Sequence, residues 1–157
     1  MFKRILIAMD NSEPAAQALA TGVELALELK AELTVLHVVD TGAALIPQYG
    51  VVDEKALEEL ERKGQLLLRI SMNRVPNSIR ATPMLQEGEP AETIVALAHD
   101  IEADLIVLGS DSRGRLAHFL LGSTADGVIR RAPCPVLSVR QQAEPIKPKR
   151  IAAAIQI

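Results

Sequence analysis

Aromatic side chains are nearly missing from this chain, which has no tryptophan, one tyrosine and two phenylalanines in 157 residues. That scarcity argues against the stacked aromatic platforms that hold single-stranded nucleic acid. An excess of positive charge is missing too. Seventeen basic residues against 20 acidic ones give a net charge of −3, so there is no basic footprint for DNA or RNA. Cys134 is the single cysteine, which excludes an internal disulfide framework and a cysteine-rich zinc site. Between Pro133 and Pro135, ahead of an apolar run, it is expected to pack as a small hydrophobe, with a reactive thiol as the minor reading. Long hydrophobic runs are also absent near the start. Ile5 to Met9 is too short for a signal peptide or a membrane span, so a cytoplasmic location without a membrane partner is expected.

Several phosphate-handling motifs are missing as well. No Gly-x-x-x-x-Gly-Lys-[Ser/Thr] loop occurs, and no Gly-x-Gly-x-x-Gly follows the first strand. The outline is similar to a response-regulator receiver, but only Asp10 stands where an acidic pair is expected, and Arg140 rather than lysine follows the last strand. His37, His99 and His118 are scattered and support no metal site. No Ser–His–Asp or Cys–His arrangement can be assembled from spacing, and no efficient general base stands out. Catalysis, if any, is therefore limited to slow hydrolysis of a bound nucleotide.

What is present is an aliphatic chain, 48% hydrophobic, long enough for one domain with a full core. Short continuous apolar runs alternate with longer amphipathic ones. Ile5–Met9 reads as a strand buried on both faces, and Ser12 with Pro14 opens a helix carrying Ala15, Leu19, Val23 and Ala26 on one side. Leu33–Val39 is a second strand, closed by Asp40, and residues 40–52 are expected as a loop. A second helix from Asp53 to about Arg74 shows Leu57, Leu60, Gly64, Leu67 and Leu68 on one face. Ala81–Gln86 is a weak strand, and Pro83 inside it assigns it to an edge. A third helix follows Gly88-Glu89-Pro90, burying Ile94, Val95, Leu97 and Ala98. Then come a strand at Leu105–Leu108, a helix from about Ser123 to Arg131 and a fifth strand at Pro135–Val139.

This alternation predicts an α/β single domain, a five-stranded parallel sheet with helices on both faces. Such sheets bind ligands beyond the carboxyl ends of their strands, where strand order reverses. Asp10 ends the first strand and Gly109 the fourth. Beyond Gly109 a polar loop leads to Gly122-Ser123-Thr124 at a helix start, where unpartnered N–H groups and the helix dipole favour an anion. The pattern reads as a phosphate cradle. Asp10 is read either as a ligand for ribose hydroxyls or as a turn and cap partner, and Ser123 also reads as a simple helix cap. Asp111 would repel phosphates unless a metal ion intervenes. Arg113 and Arg115 either offset that charge or belong to a solvated loop.

With these residues in view, residues 1–140 resemble the universal stress protein family. The features that match are the strand ending in Asp10 with Ser12 after it, Leu36-His37-Val38-Val39, Gly88-Glu89-Pro90 and Ala132-Pro133-Cys134-Pro135-Val136-Leu137. The resemblance implies a Rossmann-like, adenine nucleotide alpha hydrolase-like fold. In the family's ATP-binding branch a glycine ends the fourth strand and a second lies three residues on. Here Gly109 and Gly122-Ser123 match, while Ser112 replaces the middle glycine. The resemblance implies ATP, with Mg2+ as an accompanying ion, as the cofactor. Asp10 would then meet the ribose, and Val38 would lie against an adenine lined by Ala8 and Met9. Gly109, Ser112, Gly122, Ser123 and Thr124 would surround the phosphates, and Leu108 and Arg113 complete the implied binding set.

The expected function is a stress-response or signalling module that binds an adenine nucleotide and engages a protein partner of unknown identity. The alternative is a dimeric interaction protein without nucleotide, and a weak ATPase is a third reading. A homodimer through the fifth strand is expected, because an apolar edge strand wants a partner. Residues 141–157 form a separate extension, with prolines and basic residues followed by the apolar Ile151–Ile157. It reads as a frayed tail or as a segment that pairs with a sheet edge or a second subunit.

Overall fold

In the computed structural model of the protein, which describes residues 1–110 and 122–140, the elements follow the predicted alternation. Strand β1 (Arg4–Met9) leads to helix α1 (Glu13–Leu29) and β2 (Glu32–Asp40). A 3₁₀ turn (Thr41–Ala44) and a small antiparallel hairpin, β3 (Leu45–Ile46) with β4 (Val51–Val52), precede α2 (Glu54–Met72). Then come β5 (Ala81–Gly88), α3 (Pro90–Asp100), β6 (Leu105–Ser110), α4 (Ser123–Arg131) and β7 (Val136–Arg140). The segment 40–52, expected as a loop, is thus partly ordered. Asp40 accepts the Gly42 N–H and starts the turn, and Val51–Val52 pairs back on Leu45–Ile46.

The five long strands pair in the order β5-β2-β1-β6-β7, and every pairing is parallel. The chain winds outward from β1 to β5, returns to β6 and winds the other way. With right-handed crossovers that reversal puts the helices before and after it on opposite faces. Met9, Val35 and Val107 pack under α1 and α2 in one core cluster, while Leu6, Leu36, Ile106 and Leu108 pack under α3 and α4 in the other. The alternation of faces along β1, β2 and β6 explains why these strands read as continuous apolar runs.

Pro83 lies on β5, an edge strand as expected, and β7 forms the opposite edge. Cys134 is half-buried against the α3/α4 cluster, and burial pushes its thiol pKa up, as fits a packed, unreactive cysteine. The strand starts are tied together by Asp104. Its carboxylate accepts the N–H groups of Lys3 and Arg4 at 2.7 and 2.8 Å, which holds its pKa below the usual carboxylate value.

Candidate functional site

The reversal of strand order falls between β1 and β6, whose register pairs Ala8 with Leu108. Asp10 and Gly109 therefore emerge side by side at the carboxyl edge of the sheet. A cavity of about 630 Å³ opens there. It straddles the sheet edge. One lobe, formed by Ala8, Leu36, Val38, Ile94, Leu108 and Ala125, lies on the α3/α4 face. The other reaches the α1/α2 face through Met9, Ala15, His37, Gly64 and Leu67. Its volume and mostly aliphatic walls, with few polar groups, are those of a small-molecule site.

Of the residues singled out from the sequence, Ala8, Met9, Asp10, Val38, Leu108, Gly109 and Thr124 line this cavity. Gly122 and Ser123 form the start of α4 beside it without lining it. Ser112 and Arg113, with Asp111, Arg115 and His118, lie outside the described residues. His99 is exposed at the end of α3.

Asp10 is exposed, and its Oδ1 accepts both the N–H of Ser12, at 3.0 Å, and the Ser12 hydroxyl. The Ser12 oxygen in turn accepts the N–H of Ala15 and caps α1. The turn-and-cap role weighed for Asp10 is therefore present, and it presents the carboxylate at the cavity mouth. The described residues give Oδ2 no donor, so a further hydrogen bond is open to it.

The start of α4 differs from the expectation. Ser123 is not its cap: the N-cap is Gly122, in extended conformation, and among the described residues no side chain accepts from the first turn. A glycine has no oxygen to offer those N–H groups, and Ser123 already sits at the first helical position. By contrast, Ser12, Asp53 and Glu89 cap α1, α2 and α3 with side-chain oxygens. Thr124 and Ala125 of that uncapped turn line the cavity, so the positive end of the α4 dipole faces it.

Gly109 has a packing reason as well. A Cβ there would lie 2.5 Å from the Ala15 nitrogen and 2.7 Å from the Pro14 oxygen, and would collide with the Pro14 carbonyl carbon. Its lack of a side chain lets the first turn of α1 press on β6. A Cβ on Gly122 would meet no described atom within 4 Å.

Asn11, Asp40, Pro90, Ile94 and the whole α2 lobe were not anticipated. Alternation along β2 would have found Leu36 from Val38. The signal for the α2 lobe was Gly64 itself, since a glycine inside a helix costs about 1 kcal/mol relative to alanine and calls for a packing reason. Among the described residues no group of three metal-ligating side chains occurs, and no helix is long and apolar enough to cross a membrane.

The family model for the universal stress protein family matches residues 1–140. Universal stress protein YxiE of Bacillus subtilis is 32% identical over 150 residues, covering 89% of this chain and all of that one. A universal stress protein of Thermus aquaticus is 35% identical over 144 residues, again 89% of this chain and all of the relative. Among solved structures, hypothetical protein MJ0577 superposes with a TM-score of 0.78 at 26% identity, over 92% of this chain and 99% of that one. Two more distant structures share the fold. One is a universal stress protein in complex with cAMP (TM-score 0.69, 21% identity, 88% and 97% covered), and the other is the Archaeoglobus fulgidus protein in complex with dAMP (0.61, 22%, 88% and 98%). With the match running through β7, and with relatives above 30% identity covered nearly end to end, the chain belongs to the universal stress protein family.

Proposed function

We propose that this universal stress protein binds an adenine nucleotide in the cleft at the ends of β1 and β6, with ATP as the nucleotide and Mg2+ carried on its phosphates. One observation carries the reading: the first turn of α4, which no side chain caps among the described residues, opens on the cavity that the Asp10 carboxylate also borders. Unsatisfied N–H groups at the positive end of a dipole favour an anion, and a carboxylate favours vicinal hydroxyls. Ala8, Val38 and Leu108 offer the aliphatic wall for a purine between them. Asp10 takes the ribose, while Gly109, Gly122, Ser123 and Thr124 border the phosphates. The cAMP and dAMP complexes of proteins with this fold support the choice of an adenine nucleotide. No acidic cluster holds a metal by itself among the described residues, so the ion is one that arrives with the triphosphate.

The role is binding rather than turnover, in a cytoplasmic module that signals to a protein partner. β7 is the proposed homodimer edge: among the described residues its outer side has no partner strand, and Leu137 and Val139 are only half-buried. Ligand that binds the folded state alone stabilises it, by about 2.7 kcal/mol at a hundredfold excess over Kd. Thermal unfolding with and without Mg-ATP therefore tests the reading. A midpoint that rises with nucleotide concentration supports it, and one that does not move at millimolar ligand favours the nucleotide-free dimer. Any slow ATP hydrolysis that belongs to this cleft is lost in Asp10→Ala.

A further inference from the structure

We propose that His37 is the positioning residue of the cleft, setting the direction in which Asp10 leaves the sheet; this role rests on the nucleotide reading above. His37 on β2 faces Met9 as the last pair of the β1–β2 register. Its Nδ1 lies 2.7 Å from the carbonyl oxygen of Met9. A carbonyl oxygen only accepts, so Nδ1 carries the proton and donates. The peptide group that receives this bond is the one joining Met9 to Asp10. Because a peptide is planar, fixing its oxygen also fixes the plane that contains the Asp10 nitrogen and Cα.

The imidazole is itself held from the far side. A Cβ on Gly64 of α2 would lie 2.6 Å from the His37 Cδ2 and 3.2 Å from Nε2, so only glycine lets the helix close on the ring. Beyond Asp10 the chain is fixed again, since Oδ1 takes the Ser12 donors and Ser12 caps α1. One continuous set of contacts thus runs from α2 through the His37 ring and the 9–10 peptide to the carboxylate and α1. Nothing else described on the α1/α2 face touches that peptide by a side-chain hydrogen bond. His37 lies on the α2 side of the sheet, away from Ala8, Val38 and Leu108, so it acts through Asp10 rather than through the base wall.

The role predicts a coupling between His37 and the ribose hydroxyls. Calorimetric Kd values for Mg-ATP and for Mg-2′,3′-dideoxy-ATP would be measured on the wild type, His37→Leu and His37→Gln. In the wild type, removal of both hydroxyls is expected to weaken binding about tenfold or more, the scale of hydrogen bonds to a charged group. In His37→Leu the ATP Kd rises about tenfold while the dideoxy Kd barely changes, so the discrimination disappears. His37→Gln, which keeps an amide donor, restores part of it. Gly64→Ala, whose methyl presses on the ring and, at 2.8 Å, on Leu85 Cδ1, lowers the same discrimination, and it adds nothing further to that discrimination in a His37→Ala background. These two variants carry the test if His37→Leu does not fold. Equal weakening of both ligands in the His37 and Gly64 variants would mean a general packing role and overturn the inference while leaving the nucleotide reading intact. Absence of ATP binding in the wild type would overturn both.

Discussion

Two glycines stand at the same cleft, and a side chain would meet backbone at one of them and open space among the described atoms at the other. At Gly109 a methyl group would sit 2.5 Å from the Ala15 nitrogen and 2.7 Å from the Pro14 oxygen, where ordinary contacts with carbon need about 3.5 Å. The obstacle is backbone, so no rotamer change relieves it. The first turn of α1 must retreat by about 1 Å, which drags Ala15 out of a buried site and loosens the Ser12 cap. Overpacking of this kind costs about 1–3 kcal/mol, and a backbone obstacle places Gly109→Ala at the upper end. Urea unfolding would show this as a midpoint lowered by about 1 M or more at unchanged slope. Gly122→Ala meets no described atom and costs about 1 kcal/mol or less, the penalty of alanine at an N-cap. Its effect is expected in nucleotide affinity instead. A Gly109→Ala protein as stable as the wild type would refute the packing argument for that position.

Ser12→Ala removes the cap of α1 and a hydroxyl donor to Asp10, so a loss of about 1 kcal/mol is expected in denaturant titration, together with weaker nucleotide binding. Asp104→Asn tests the tie between the starts of β1 and β6. The folded-state pKa of Asp104 is depressed, so its contribution is fully present above the unfolded value of about 3.9 and is lost as pH falls through the lower folded value. The stability gap between wild type and variant should therefore be constant near neutrality and close below about pH 4; a gap that widens in acid would contradict the assignment. At micromolar concentration, light scattering is expected to give the mass of two chains, and the mass of one chain would contradict the proposed dimer edge.

Most of the architecture was legible because a doubly covered parallel sheet leaves a strong signature. Ile5–Met9 and Leu105–Leu108 are short, unbroken apolar runs, and the helices between strands carry one apolar face each. Pro83 marked an edge, since it has no N–H to give a ladder. The hairpin after β2 was not legible, because two-residue strands leave no periodic pattern to read. In the site, sequence brought Asp10, Val38, Gly109 and Thr124 to one place through their positions at strand and helix ends. It gave the wrong cap for α4, because a serine after a glycine looks like a cap until backbone conformation is known. It also read Gly109 from its place at a strand end alone, without the packing that requires a glycine there. The atoms that demand it come from Pro14 and Ala15, nearly a hundred residues away, and no local pattern reports them.

The claim on which the rest depends is that the ends of β1, β6 and α4 together form a nucleotide cleft. Calorimetric titration of the full chain with Mg-ATP, repeated on Asp10→Asn, addresses it most directly. Saturable binding with one site per chain, weakened about tenfold or more in the variant, is the predicted result. No heat of binding at millimolar nucleotide, or equal affinity in both proteins, would contradict it.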